Sequence, residues 1–291
     1  MTTSLEVPLR ATETPVCRAA TAEAHVRAVR RVIAVMRERH AESLSLKQLS
    51  DVAISSPFHF NRVFREVTGL PPGRFLAAIR MQVAKQLLLT TRRSVTNICF
   101  SVGYSSLGTF TAHFAQYVGA SPSRFRRLIR IARPSGLVPT APARPLVMKE
   151  NASSIRGYVH ASEGDCTGLA IIGLFPTRWP RGHPRACTVA AIGTNFVVEN
   201  VPPGRYHLFS MAINSSIDDL ALCLGESMQL GHAGPIHVPE GDDAGPIDLE
   251  LRWPRETDPP LLIALPVLME ERLASERAAL ESPSVACHQH F

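Results

Sequence analysis

The chain has 291 residues and a mass of 31.8 kDa, enough for about two domains at roughly 100–200 residues each. A hydrophobic content of 45% excludes global disorder. No apolar run reaches the roughly 18–20 residues of a membrane span, and no basic-then-apolar export pattern opens the sequence. The net charge of +6 conceals a division. Residues 22–133 hold 18 Lys/Arg against 5 Asp/Glu, a net +13, whereas residues 134–291 hold 11 against 18, a net −7. A basic block followed by an acidic one points to a domain that meets a polyanion and a second that does not. The six cysteines, Cys17, Cys99, Cys166, Cys187, Cys223 and Cys287, form no C-x-x-C pair. That spacing argues against a zinc ribbon or a disulfide framework and for free thiols in a reducing, cytoplasmic setting.

In chain order, residues 1–21 are small and polar and read as a flexible arm. From Ala22 to Glu42, Val26, Val29, Ile33 and Met36 recur on one helical face, with Arg27, Arg30, Arg31, Arg37 and Arg39 around the rest. The basic segment then matches itself at an offset of 50. Ser56, Phe60, Phe64, Gly69, Pro72, Arg74, Phe75, Ile79 and Arg80 recur as Ser106, Phe110, Phe114, Gly119, Pro122, Arg124, Phe125, Ile129 and Arg130. Nine identities in a 25-residue window exceed what chance supplies and mark a duplication. Upstream the offset is 49 (Leu46 and Leu49 against Val95 and Ile98), so one residue was gained in the turn near Gly103.

Each copy reads helix, tight turn, helix. Ser45 and Ser94 cap the first helices, while Ser55 or Ser56 and Ser105 or Ser106 open the second ones. Gly69 and Gly119 end them. A helix over Gly73 to Leu89, with Phe75, Ile79, Val83 and Leu87 inward, connects the copies. Two helices joined by a turn of 3–4 residues is helix-turn-helix geometry, whose second helix enters the DNA major groove. A plain helical bundle explains the Phe60, Phe64, Phe110 and Phe114 stripe but not the duplication together with the charge.

Residues 22–131 resemble the DNA-binding domain of the AraC/XylS family of bacterial transcription regulators. The similarity is carried by Ile98-Cys99-Phe100-Ser101-Val102-Gly103-Tyr104-Ser105-Ser106, Phe110, Phe114 and Gly119-Ala120-Ser121-Pro122-Ser123-Arg124-Phe125-Arg126. Ser55 to Pro72 is similar to the family's less regular first motif. The resemblance implies two motifs held by the connecting helix and reading two successive major grooves of double-stranded DNA. It also implies base contacts at Phe58, Asn61 and Arg62. The helical face agrees: with Phe60, Val63, Phe64 and Val67 inward, Pro57, Phe58, His59, Asn61, Arg62 and Arg65 point outward. Arg pairs with guanine, Asn with adenine, and an aromatic face packs on a thymine methyl. For Phe58 a partly buried core position is the alternative.

The second copy departs from the pattern. Leu107, Gly108 and Ala112 cannot pair bidentately with bases, leaving Thr109, Thr111 and His113 as polar candidates. Ser56, Ser106, His59, Arg65, Arg92, Arg93 and Arg124 are expected at phosphates, with Arg126, Arg127 and Arg130 adding charge. The first copy is therefore expected to specify and the second to anchor.

Pro134, Pro139, Pro142 and Pro145 mark a linker over 134–146. Beyond it, strands are expected around 155–161, 167–175, 186–192, 195–200, 205–213, 236–238 and 246–253, a β-sandwich within residues 147–265. Phe196 to Leu208, with its Val201-Pro202-Pro203-Gly204 turn and inward Tyr206, resembles the transthyretin-like or carboxypeptidase-regulatory-like sandwich. Ser216 to Met228 fits strand or helix. Pro266 opens a last helix to about Glu281, and 282–291 reads as a tail. The fold expected is thus multidomain, an all-α tandem helix-turn-helix domain followed by a β-sandwich and a C-terminal helix. His232 and His237, five apart, are metal-capable but common by chance, and no G-x-S-x-G or H-E-x-x-H motif occurs. No cofactor, metal or catalytic residue is expected. Most AraC-like regulators place the DNA-binding part last, and here it comes first, so no relative's effector carries over. The function expected is a sequence-specific transcription regulator, with RNA polymerase as partner and the β-domain serving an effector, a partner or self-association. An architectural DNA-binding protein, or an enzyme fused to a DNA-binding module, is the alternative.

Overall fold

The computed structural model describes residues 15–132, 153–162, 168–213 and 228–263, with side chains described from residue 20 and, at the end of the helical part, up to residue 127. Seven helices come first: α1 (Pro15–Glu38), α2 (Leu46–Val52), α3 (Pro57–Thr68), α4 (Pro72–Thr90), α5 (Val95–Ser101), α6 (Leu107–Val118) and α7 (Pro122–Ala132). Seven strands follow: β1 (Ser153–Ala161), β2 (Leu169–Phe175), β3 (Cys187–Ala191), β4 (Thr194–Val201), β5 (Gly204–Ile213), β6 (Leu230–Val238) and β7 (Ala244–Arg252). The linker over 134–146, the undecided segment 216–227 and the helix over 266–281 lie outside the described residues.

Local chemistry sets the helix ends. Ser45 forms a capping box with Gln48, its side chain accepting from the Gln48 N–H while Gln48 reaches back to the Ser45 N–H. Ser56, Ser94 and Ser106 cap α3, α5 and α6. Gly69 and Gly119 close α3 and α6 in the left-handed region, at φ 77° and 94°. One boundary moves: α1 starts at Pro15, ahead of Ala22, and stops at Glu38. Residues 15–21 are therefore helical and do not belong to a loose arm. Proline suits a first helical turn, and Ala19, Ala20, Ala22 and Ala24 are strong helix formers.

The described chain divides into two compact units, and the division runs through α4. One unit comprises the residues up to Leu76 together with Glu256–Pro259. Val29, Val32, Ile33 and Met36 of α1 are buried in it, as are Leu49 of α2 and Phe60, Val63 and Phe64 of α3. The Phe64 ring meets Phe60 at 5.5 Å and Phe75 at 5.4 Å, both edge-on. Arg30 reaches Glu256 at 3.4 Å on the surface of this unit.

The other unit, Ala77–Arg255 with the residues from Pro260 onward, joins the α5–α6 helix pair to the sheet. All seven strands belong to one sheet of order β3-β2-β5-β6-β7-β1-β4. Every neighbouring pair is antiparallel except β1 and β7. The two end strands of that order, β3 and β4, are joined by the short turn at Ile192-Gly193. The sheet closes round a single interior cluster including Val159, Ile172, Val198, Tyr206, Leu208 and Leu249. That closure gives a barrel-like, sheet-rich domain. Gly157 of β1 belongs to it because a Cβ there would collide with the Phe196 ring and the Ile247 carbonyl.

The expected boundary between a helical domain ending at 133 and a separate β-domain does not coincide with this division. The reason lies in β2, whose sequence Leu169-Ala170-Ile171-Ile172-Gly173-Leu174-Phe175 is apolar throughout. Ala170, Ile172 and Leu174 point into the barrel. Ile171 and Phe175 point outward, and with Met211 and Ile213 of β5 and Val189 of β3 they join a second core. Its helical side is Met81, Ala84 and Leu88 of α4, Ile98 of α5, Phe110 and Phe114 of α6, and Phe125 of α7. An apolar face exposed on either side would cost about 1.5–3 kcal/mol per large side chain. Lys85 is buried at this seam and donates to the Leu261 carbonyl at 3.5 Å.

Candidate nucleic-acid interface

α3 is amphipathic in a way that fixes its outward face. Phe60, Val63, Phe64 and Thr68 are buried, so Phe58, His59, Asn61, Arg62 and Arg65 are exposed. Phe58 is 85% exposed, which removes the alternative of a core aromatic. Arg62 Nη1 lies 2.8 Å from Glu66 Oε1, both about half exposed. A surface pair of this kind is worth about 0–1 kcal/mol, so a base edge can displace it. His59 is more constrained: its Nδ1 lies 3.1 Å from Ser55 Oγ, and its ring meets His25 edge-on at 5.6 Å. Ser56 Oγ accepts the His59 N–H as the helix cap.

α6 repeats this frame with different side chains. Its cap Ser106, with Leu107, Gly108, Thr109 and Ala112, is exposed, and Thr111 is half-buried. His113 is drawn inward: Nδ1 sits 3.2 Å from the Tyr104 hydroxyl, and its ring packs against Tyr104 and Tyr117. Tyr104 in turn lies under the Arg80 guanidinium at 5.8 Å, and burial pushes its phenol up to about 12. Thr109 is thus the exposed polar side chain among the three candidates of this helix. Arg92, Arg93 and Arg124 are exposed. Arg126, expected as general positive charge, instead serves the fold. Its guanidinium donates to the Leu88 carbonyl at 3.1 Å and the Arg93 carbonyl at 2.8 Å, closing the end of α4. The Arg130 side chain lies outside the described residues.

The histidines of the sheet pair differently from their spacing. His232 meets a histidine of the neighbouring strand. Across the β5–β6 ladder its Nε2 lies 3.1 Å from His207 Nδ1, the two rings stack, and Phe209 meets it at 4.7 Å. Burial of the ring, then the neighbouring His207, lower His232 to about 4, although the residue as a whole remains exposed. Burial also lowers His207. His207 and His232 are 25 residues apart, and only the strand register brings them together. Among the described residues, no three His, Cys, Asp or Glu side chains converge to hold a metal ion, and no helix is long and apolar enough to cross a membrane.

A family described as a helix-turn-helix domain matches residues 49–128. An uncharacterized helix-turn-helix transcriptional regulator of Haemophilus influenzae is 37% identical over 86 residues, 30% of this chain and 29% of that protein. The bifunctional transcriptional activator/DNA repair enzyme AdaA of Bacillus subtilis is 29% identical over 90 residues, 31% of this chain and 43% of that one. The activator RclR of Escherichia coli is 31% identical over 103 residues, 35% and 36% of the two chains. The chain thus spans less than half the length of these relatives. Among solved structures, the DNA-binding domain of AdpA in complex with a target DNA is 31% identical. That match covers 38% of this chain and 98% of that one, with a TM-score of 0.36.

Proposed function

With residues 49–128 an AraC-type helix-turn-helix domain, we propose that the protein is a transcription regulator binding duplex DNA sequence-specifically. In this reading α3 reads bases and α6 anchors, each in a major groove. The observation that carries it is the outward face of α3, where Phe58, Asn61 and Arg62 stand exposed side by side. Arg62 offers two parallel donors to guanine O6 and N7, Asn61 a donor and an acceptor to adenine, and Phe58 an apolar plane to a thymine methyl. Gly108 and Ala112 on α6 offer none of these. Ser56 and Ser106 place helix N-termini and hydroxyls where phosphates can be fixed. Arg65, Arg92, Arg93 and Arg124 add charge along the backbone. The sheet-rich domain is the part that modulates binding, through an effector, a second copy or RNA polymerase.

Selection of binding sites from a random duplex pool by the full chain tests this. The expected result is a site with one strongly specified segment and one weakly specified segment. Equal information in two segments about one helical turn apart would sink the division between α3 and α6. A small ratio of selected to random affinity would favour an architectural role.

A further inference from the structure

The loop between β2 and β3, residues 176–186, runs against the charge of its domain. Its sequence Pro176-Thr177-Arg178-Trp179-Pro180-Arg181-Gly182-His183-Pro184-Arg185-Ala186 holds three arginines, a histidine and no acid. Arg178, His183 and Arg185 are exposed and Arg181 is half-buried. Seven Arg and no Lys occur among the described residues from 153 to 263, so three of the seven cations crowd into this loop.

The loop is held against α6. Trp179 stacks obliquely on Tyr117 of that helix, ring centres 5.1 Å apart, and packs against the core shared by helices and sheet. Gly182, at φ 68°, brings the loop backbone alongside the Gln116 carbonyl, which a Cβ there would meet at 3.8 Å. Thr177 donates to the Trp179 carbonyl at 2.8 Å. Pro176, Pro180 and Pro184 restrict the backbone further, so the main chain that carries the cations has little conformational freedom left to lose.

We propose that this loop is a second phosphate-binding element, in which Arg178, Arg181 and Arg185 meet the DNA backbone that flanks the groove occupied by α6. The inference rests on the reading of α6 as a groove helix. A helix seated in a major groove about 12 Å wide has a phosphate wall on each side. A loop in van der Waals contact with the C-terminal half of that helix borders such a wall. The same half carries the negative end of the helix dipole, which repels phosphate unless a cation stands beside it. The arginines supply that cation. They also compensate for the small, uncharged side chains of α6 by adding sequence-independent affinity.

The test uses the full chain with R178Q, R181Q and R185Q combined, and a matching triple lysine variant. Affinity is measured for the duplex recovered by selection and for a random duplex of equal length, between about 50 and 200 mM salt. The glutamine variant is expected to bind both duplexes roughly tenfold or more weakly, with the slope of log affinity against log salt shallower by about two to three. Lysine should restore most of the slope, and melting of both variants should match wild type. An unchanged slope, or a loss confined to the selected duplex, would overturn the proposal. Failure of the wild-type chain to bind either duplex would instead overturn the DNA-binding reading, and the loop's role with it.

Discussion

The two helix pairs, α2–α3 and α5–α6, share a frame and differ in what surrounds it. Both open their second helix with a capping serine and close it with a left-handed glycine. The first pair presents Phe58, Asn61 and Arg62 outward and belongs to a small unit built of helices and one short segment, Glu256–Pro259. The second presents Gly108, Thr109 and Ala112 and shares its core with the outer face of a seven-stranded sheet. Even their turns differ. Ile54 occupies a left-handed position at φ 54°, 87% exposed, where the second copy has Gly103 at φ 83°. In the proposed reading, one copy supplies the reading surface, while the other is packed on the sheet. The geometry of a motif therefore does not say which copy reads.

The largest expected effect sharpens the second half of that comparison. Phe175→Ala removes a fully buried ring from the helix–sheet core and should cost about 3–5 kcal/mol. Hydrogen exchange should then accelerate together in α5, α6 and β2 while α2 and α3 keep their protection. Acceleration in the sheet alone would show the second pair to be independent of it. On the first half, Arg62→Ala should weaken binding to a selected duplex by about 1–3 kcal/mol and relax base preference. Thr109→Ala on α6 should cost under about 0.5 kcal/mol, and the reverse ranking by fluorescence anisotropy would invert the assigned roles. Smaller than the Arg62 effect, Ile54→Gly should raise stability by up to about 1 kcal/mol. It relieves a left-handed cost of roughly 1–2 kcal/mol against roughly 0.5–1 kcal/mol of added chain entropy. A lower melting temperature would mean that the turn favours isoleucine for a contact.

A separate expected effect is one of pH. His232 and His207 are both lowered in the folded chain, so below the ordinary histidine value of 6.5 the unfolded chain binds protons that the folded chain refuses. Their contribution is fully present above 6.5 and is lost progressively as pH falls toward about 4. The melting temperature should drop over that window, and His232→Gln should flatten the drop. An unaltered profile in the variant would place the acid sensitivity elsewhere.

Most of the helical half was legible because its signals are local. The serine caps, the two glycines and the inward Phe pairs each act within one turn of helix. Six strand positions were legible too, since Pro202-Pro203-Gly204 and Gly193 interrupt alternating runs. Of β6 (Leu230–Val238) only 236–238 was legible, because Gly231, Gly234 and Pro235 break its pattern. Strand order was not. The parallel pairing of β1 with β7 and the meeting of His207 with His232 depend on ladder register between distant segments. Docking of the second pair had a readable trace in the unbroken apolar run of β2, which marks a strand covered on both faces. The role of Arg126 was misjudged because a surface count of charge cannot separate an arginine that caps a helix from one that faces solvent.

Neighbouring residues of β2 answer to different interiors, Ile172 to the barrel and Ile171 to the helices. That arrangement limits modularity. Regulators can be recombined in evolution or in the laboratory when an input domain meets its DNA-binding partner through a replaceable surface. Here a transplanted barrel would have to bring an Ile171, Phe175, Met211 and Ile213 of its own in matching register, or the helices would lose the sheet side of their core. The sheet and the second pair should therefore be inherited together, and chimeras joined between residues 132 and 153 should fail to fold.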